Sequence, residues 1–212
     1  MTRTIACRFL FVFAIAFWGC GAPKAPPVLV PPQIDLHARE AIGVIAFAST
    51  SKGELGTLAT RRFTEAARRD QGLVRFVDLG SRDEALRSIG RDRLDAAAMI
   101  ALGRKHDVRT IVTGELAVSS VRPSVSIDTL FRAGSVTAQV DASLEVQMFE
   151  SESGAALWNR SARATHSVGD VRVWGGKEFS FDARNPEEAY GGLVDDLVAQ
   201  VSRPFQASWV RR

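Results

Sequence analysis

Cysteine is nearly missing from this chain of 212 residues. There are two, Cys7 and Cys20. Both lie in the first twenty positions, so no disulfide is expected in the part that folds. Histidine is scarce too. His37, His106 and His166 are far apart, and none belongs to an HExxH or other close-spaced ligand pair, which argues against a metal centre. The chain has no GxSxG elbow and no GxxxxGK[ST] phosphate loop, so two common routes to catalysis are missing. No cysteine nucleophile is left beyond Cys20. We therefore expect no enzymatic activity and no cofactor. Excess charge is also lacking. Of the 27 Lys and Arg residues, Arg3 and Arg8 lie in the first nineteen positions, which leaves 25 against 24 acidic residues. No basic block is dense enough for a nucleic-acid footprint. A long apolar span is absent as well. Phe9–Trp18 covers about half of the roughly twenty residues that a spanning helix needs.

What the N-terminus does carry is an address. Arg3 and Arg8 give a positive start, Phe9–Trp18 is uncharged and apolar, and Gly19 precedes Cys20. This is the layout of a secretory signal peptide over residues 1–19. The cysteine at the cut site resembles the lipobox of bacterial lipoproteins, which implies that Cys20 is acylated and becomes the mature N-terminus. Phe17 and Trp18 stand where such lipoproteins usually carry Leu and a small residue. The alternative is an ordinary secreted protein, or a cut elsewhere, with Cys20 incidental. With several acyl chains, attachment is effectively permanent, whereas one chain binds only marginally. Gly21 takes the place of the Asp that resembles an inner-membrane retention signal, so the resemblance implies an outer-membrane anchor facing the periplasm.

Residues 21–33, GAPKAPPVLVPPQ, hold five prolines. That composition reads as a semi-rigid spacer, reaching roughly 40 Å at about 3.1 Å per residue. The 193 residues that remain without the signal are enough for one domain with a sizeable core, and we assign it to residues 34–212. Its first half alternates strands and helices. Ala41–Ala48 reads as a buried strand, and Leu55, Leu58, Ala59, Phe63, Ala66 and Ala67 recur at helical spacing. Leu73–Leu79 reads as a second strand. Ser81 with Glu84 reads as a capping box. A helix follows over about 94–106, then a third strand over 109–119 with Gly114 inside it.

The second half changes period. Val136, Ala138, Val140, Ala142, Leu144, Val146 and Met148 alternate with Thr137, Gln139, Asp141, Ser143, Glu145 and Gln147. This predicts one long half-buried strand. Gly154 closes a turn in the positive-φ region, and residues 155–166 return as the hairpin partner. Val125–Phe131 reads as one more strand. Asn185, Pro186 and Glu188 open a last helix with an apolar stripe from Ala189 to Val201, ended by Pro204. The fold class is thus α/β: a β-α-β-α-β start, then antiparallel strands and a long hairpin, with helices packed on a mixed sheet.

Three stretches resemble the periplasmic domain of CsgG-type curli-secretion lipoproteins and their relatives, which include LpoB-like activators of penicillin-binding proteins and the TolB N-terminal domain. They are AIGVIAFASTSKGELGTLATRRF, LDAAAMIALGRKHDVRTIVTGEL and SLEVQMFESESGAALWNRSA. The resemblance spans roughly residues 40–205. It implies an envelope lipoprotein that works through protein contacts, and it carries over no functional residue. The segments at about 121–135 and 167–184 are short or charged beside the inserted hairpins of the channels, so no pore is expected. Two partner classes follow: an accessory or assembly component of an envelope apparatus, or a regulator of a cell-wall enzyme. A small-ligand-binding module is a third reading, and a homo-oligomer stays open.

The candidate contact residues are aromatic. Gly169–Ala183 carries Trp174, Phe179 and Phe181 among glycines and charges, either as a recognition surface or tucked under the loop against the core. Trp209 is treated likewise. Ser49–Gly53 reads as an ordinary loop rather than an anion site, and Asp195 and Asp196 as solvated carboxylates.

Overall fold

The apolar run Ala41–Ala48 becomes two strands rather than one. The computed structural model describes residues 26–51, 54–119, 122–128, 133–168 and 186–210. In it the strand ladder ends with Ile45. Ile45 N–H donates to Val112 C=O at 2.9 Å, and Ala46 N–H to Gly80 C=O at 2.9 Å. Phe47 N–H then donates to Thr60 Oγ1 at 2.8 Å. Each buried amide finds a partner, but from three different segments, so the ladder is interrupted.

In chain order the first strands are β1 (Val28–Val30), β2 (Ala41–Val44) and β3 (Ala48–Ser49), followed by helix α1 (Leu55–Arg68). Next come β4 (Arg75–Asp78), α2 (Arg82–Ser88), α3 (Ala96–His106) and β5 (Thr110–Val118). The second half is β6 (Arg122–Asp128), β7 (Ala133–Glu150), β8 (Ala156–Val168), α4 (Pro186–Ser202) and β9 (Ser208–Val210).

Two compact units result. Residues 31–208 form the larger one. Within it seven strands make a mixed sheet in the order β4-β2-β5-β7-β6, with β3 also on β5 and β8 also on β7. β2 lies parallel to β4 and to β5. β7 is antiparallel to its three neighbours and serves as the spine. Residues 142–150 pair with β5 and residues 133–139 with β6, while β8 runs along the opposite edge. The α/β class and its two-part layout are as the periodicity predicts. β4 is shorter than Leu73–Leu79: Leu73 is fully exposed, and Gly72 before it sits at φ 61°. β4 is an edge strand, and the Arg68 guanidinium covers its Phe76 ring at 4.6 Å.

Alternation along β7 decides which face is core. Val140, Ala142, Leu144, Val146 and Met148 are buried, and they join α1 residues Leu55, Leu58 and Phe63 and α4 residues Leu193, Leu197 and Val201 in one cluster. The opposite face carries a smaller cluster of Ile45, Leu79, Met99, Leu102, Val108 and Ile111 beneath α2 and α3. Full burial of such a side chain is worth about 1.5–3 kcal/mol, so the larger cluster dominates. At its centre Phe63 meets Phe47 at 5.5 Å and Phe205 at 5.7 Å, and Trp158 meets Phe205 at 5.0 Å.

Local chemistry sets the element ends. Ser81 accepts from Glu84 N–H while the Glu84 carboxylate accepts from Ser81 N–H, which completes the expected capping box. The carboxylate accepts from Ser81 N–H and from Ser81 Oγ–H, each at 2.8 Å, and these two bonds hold the Glu84 carboxyl below its usual range. Asp95, which the sequence reading does not single out, caps α3 by accepting from Ala98 N–H at 2.9 Å. Gly154 adopts φ 72° in the β7–β8 turn as predicted. Gly114 has a packing reason: a Cβ there would stand 2.9 Å from the Phe47 ring and 2.8 Å from Glu145 C=O.

Of the described residues, the second unit holds 26–30 and 209–210. Its described part is a two-stranded ribbon in which β1 pairs with β9.

Candidate contact surfaces

Period-two alternation that buries one side of β7 turns the other outward. Asp141, Ser143, Glu145 and Gln147 lie on that outward row. Register places Glu115 of β5 directly opposite Glu145, and Ser161 of β8 on its other side. Glu145 Oε1 accepts from Gln147 Nε2 at 2.7 Å and from Asn159 Nδ2 at 3.2 Å. Thr165 Oγ1 donates to Asp141 Oδ1 at 2.7 Å. The Asn159 and Thr165 contacts tie β8 to β7, as cross-strand polar pairs do. They make a polar stretch of the sheet face beyond the part that the Met99, Ile111 and Phe149 cluster covers.

Two hollows border the end of β2. One, of about 170 Å³, is lined by Ala46, Arg82, Met99, Gly114, Glu115 and Glu145 among others. The second, of about 350 Å³, lies between α1 and β4 beside Thr57, Thr60, Arg68 and Phe76. Drug-sized ligands occupy roughly 300–1,000 Å³, so the first is small for one. Both are lined by residues of the core elements. At the free edge, β8 pairs only with β7 among the described residues. An unpaired strand edge is a template for another chain.

The structure separates the residues that the sequence offered as sites. His37 is in a 3-10 turn, His106 ends α3 and His166 is on β8. Among the described residues no group of three His, Cys, Asp or Glu side chains is placed to hold a metal ion. Asp195 and Asp196 are exposed, and Asp195 lies 3.5 Å from the Arg62 guanidinium. The stretch after Ala48 is stitched to β5. Thr50 N–H donates to Leu116 C=O at 3.1 Å, and Thr50 Oγ1 accepts from Val118 N–H at 3.0 Å. Ser49 and Ser51 share a hydrogen bond at 2.8 Å. These groups serve internal contacts, as an ordinary loop's would.

Trp209 lies on β9 with 68% of its surface exposed. Cys20, Trp174, Phe179 and Phe181 lie outside the described residues. The sequence reading misses β1, which sits inside the proline-rich spacer. Its signal was the uninterrupted Val28-Leu29-Val30 set between two proline pairs, since aliphatic β-branched residues favour strands and proline is tolerated at strand ends.

The described helices include none long and apolar enough to cross a membrane. The sheet topology and the two clusters define a mixed-sheet α/β domain with helices on both faces. No family model matches the chain, and no curated protein matches it. Solved structures do show likeness. A PelC dodecamer from Paraburkholderia phytofirmans is 16% identical, covers 85% of this chain and 96% of its own, and superposes with a TM-score of 0.42. A lipoprotein from Neisseria meningitidis is 15% identical over 76% of this chain and 97% of its own, with a TM-score of 0.38. The LpoB C-terminal domain from Escherichia coli is 14% identical over 59% and 82%, with a TM-score of 0.36.

Proposed function

We propose that the protein is an envelope lipoprotein, acylated at Cys20 and held at the periplasmic side of the outer membrane, where it serves an envelope apparatus as a non-enzymatic accessory component through protein contacts. The observation that carries this reading is Cys20 itself. It follows a positively charged, then apolar, segment directly, and no other cysteine occurs in the 192 residues beyond it. An unpaired thiol is out of place in an exported protein, whereas an acylated one is at home there. The proline-rich segment then separates the anchor from the domain that begins near Ile34.

The loop with Trp174, Phe179 and Phe181 is the partner-facing surface in this reading, because buried aromatic anchors supply most of the binding energy in such contacts. Among the described residues no strand pairs with the outer edge of β8, which offers a second route, strand addition by a partner. The test has two readouts. Mass spectrometry of the protein extracted from membranes should show acyl chains on the N-terminal fragment that begins at Cys20. In-cell cross-linking should give discrete adducts that Trp174→Ala with Phe179→Ala removes while the protein stays folded and anchored. An unmodified Cys20 overturns the anchor. Adducts that survive the double substitution overturn the loop assignment.

A further inference from the structure

The ribbon made by β1 and β9 presents apolar side chains to solvent on both of its strands. Val28 is 49% exposed, Leu29 51%, Val30 39%, Trp209 68% and Val210 45%. Single exposed apolar residues are normal on a protein surface, but adjoining ones on paired strands mark a contact site. What covers this site follows from three features of the chain. Val28 is eight residues from Cys20, and an extended chain spans at most about 3.6 Å per residue. An acylated Cys20 therefore keeps the ribbon within roughly 29 Å of the lipid, and tethering raises the local concentration of one for the other. Trp209 is the residue type that partitions to the membrane–water interface, with its ring at headgroup level. The surrounding sequence is also one-signed. Lys24 precedes β1, Arg211 and Arg212 follow β9, and neither residues 21–34 nor 197–212 contain an acidic side chain. Basic residues beside an apolar patch favour anionic headgroups.

We propose that the ribbon Val28–Val30 with Ser208–Val210 seats in the headgroup layer of the membrane that holds Cys20. The lipid anchor and the ribbon then grip the bilayer at two points. The seating rests on the acylation of Cys20 proposed above. It assigns Trp209 to a lipid surface rather than to a protein partner.

The experiment uses the full lipoprotein extracted from membranes and reconstituted into vesicles of phosphatidylethanolamine and phosphatidylglycerol, with and without brominated acyl chains that quench tryptophan on contact. Wild type is compared with Trp209→Phe, and the mass of each protein reports acylation. The expected result is a loss of emission in brominated vesicles that Trp209→Phe abolishes, with unchanged circular dichroism. Leu29→Ser with Val210→Ser should reduce the same quenching without removing a fluorophore. Acylated protein whose quenching is the same in wild type and Trp209→Phe overturns the seating alone. A mass without acyl chains overturns the anchor and the seating together. A blue shift of Trp209 emission that grows with protein concentration in detergent, without lipid, identifies a second copy as the occupant and overturns the proposal.

Discussion

Gln71 ties three distant stretches of the larger unit together, and replacing it with Leu tests how much that tie is worth. It is 2% exposed. Its Oε1 accepts from Leu36 N–H at 2.8 Å. Its Nε2 donates to Ile34 C=O at 2.8 Å and to Phe205 C=O at 2.8 Å. Leu approximates its volume but satisfies none of the three. The Leu36 and Phe205 bonds are buried, while the Ile34 bond is partly buried and can recover water. Stranding a buried donor or acceptor costs about 1–3 kcal/mol, so the two buried groups lose roughly 4 kcal/mol together. For a domain of this size each kcal/mol moves Tm by about 2–4 °C, which predicts a fall of roughly 8–16 °C. Urea unfolding followed by tryptophan emission is the assay, because Trp158 packs on Phe205. The slope with urea should be unchanged. A loss below about 1 kcal/mol would refute the reasoning, since one stranded group alone costs that much. Gln71→Glu sharpens the test. At neutral pH it sets a carboxylate oxygen against two carbonyls and should be at least as harmful. Acidification should recover part of the loss, because a protonated carboxyl can donate.

Other perturbations probe separate parts of the fold. Phe63→Ala should cost about 3–5 kcal/mol, read as a lower urea midpoint, because its ring is fully buried between Phe47 and Phe205. Gly154→Ala places a Cβ 2.5 Å from Ala96 C=O at φ 72°; thermal melting should show a clear loss, whereas Gly90→Ala, with nothing within 4 Å of the added carbon, should lose only the strain of its positive φ. Glu84→Gln tests the capping box by pH. The folded carboxyl is held below its ordinary value of 4.5, so its contribution is present above that pH and disappears as pH falls through the folded value. The stability gap between wild type and Glu84→Gln should therefore close on acidification, and a gap that widens would contradict the assignment.

Much of this architecture was legible because its elements announce themselves locally. The thirteen alternating residues of β7, the Ser81–Glu84 box and the Gly154 turn each carry a short-range signal, and each lands where expected. Long-range requirements were not legible. Nothing near Ala46 shows that its amide will turn to Gly80 and that of Phe47 to the Thr60 hydroxyl, so the first strand breaks where periodicity would continue it. Gln71 looks like a surface residue after a helix, and its partners lie 35 and 134 positions away. The same blindness hides β1, since three aliphatic residues among prolines pair only when Trp209 and Val210 return to meet them. Contact residues are harder still, because exposed aromatics follow no period.

The place of α4 in the sequence also sets when this chain can fold. Its side chains complete the larger core against α1, β7 and β8, and Phe205 beyond it closes on Phe63 and Gln71. Until some 200 residues are available, the sheet lacks its cover and the aromatic centre is incomplete. Contacts this distant carry a large loop-closure cost and slow folding. In the exported lipoprotein proposed above, the chain is thereby kept open until nearly all of it has crossed the membrane. In that reading the delay leaves time for an acylating enzyme to reach Cys20 before the domain folds.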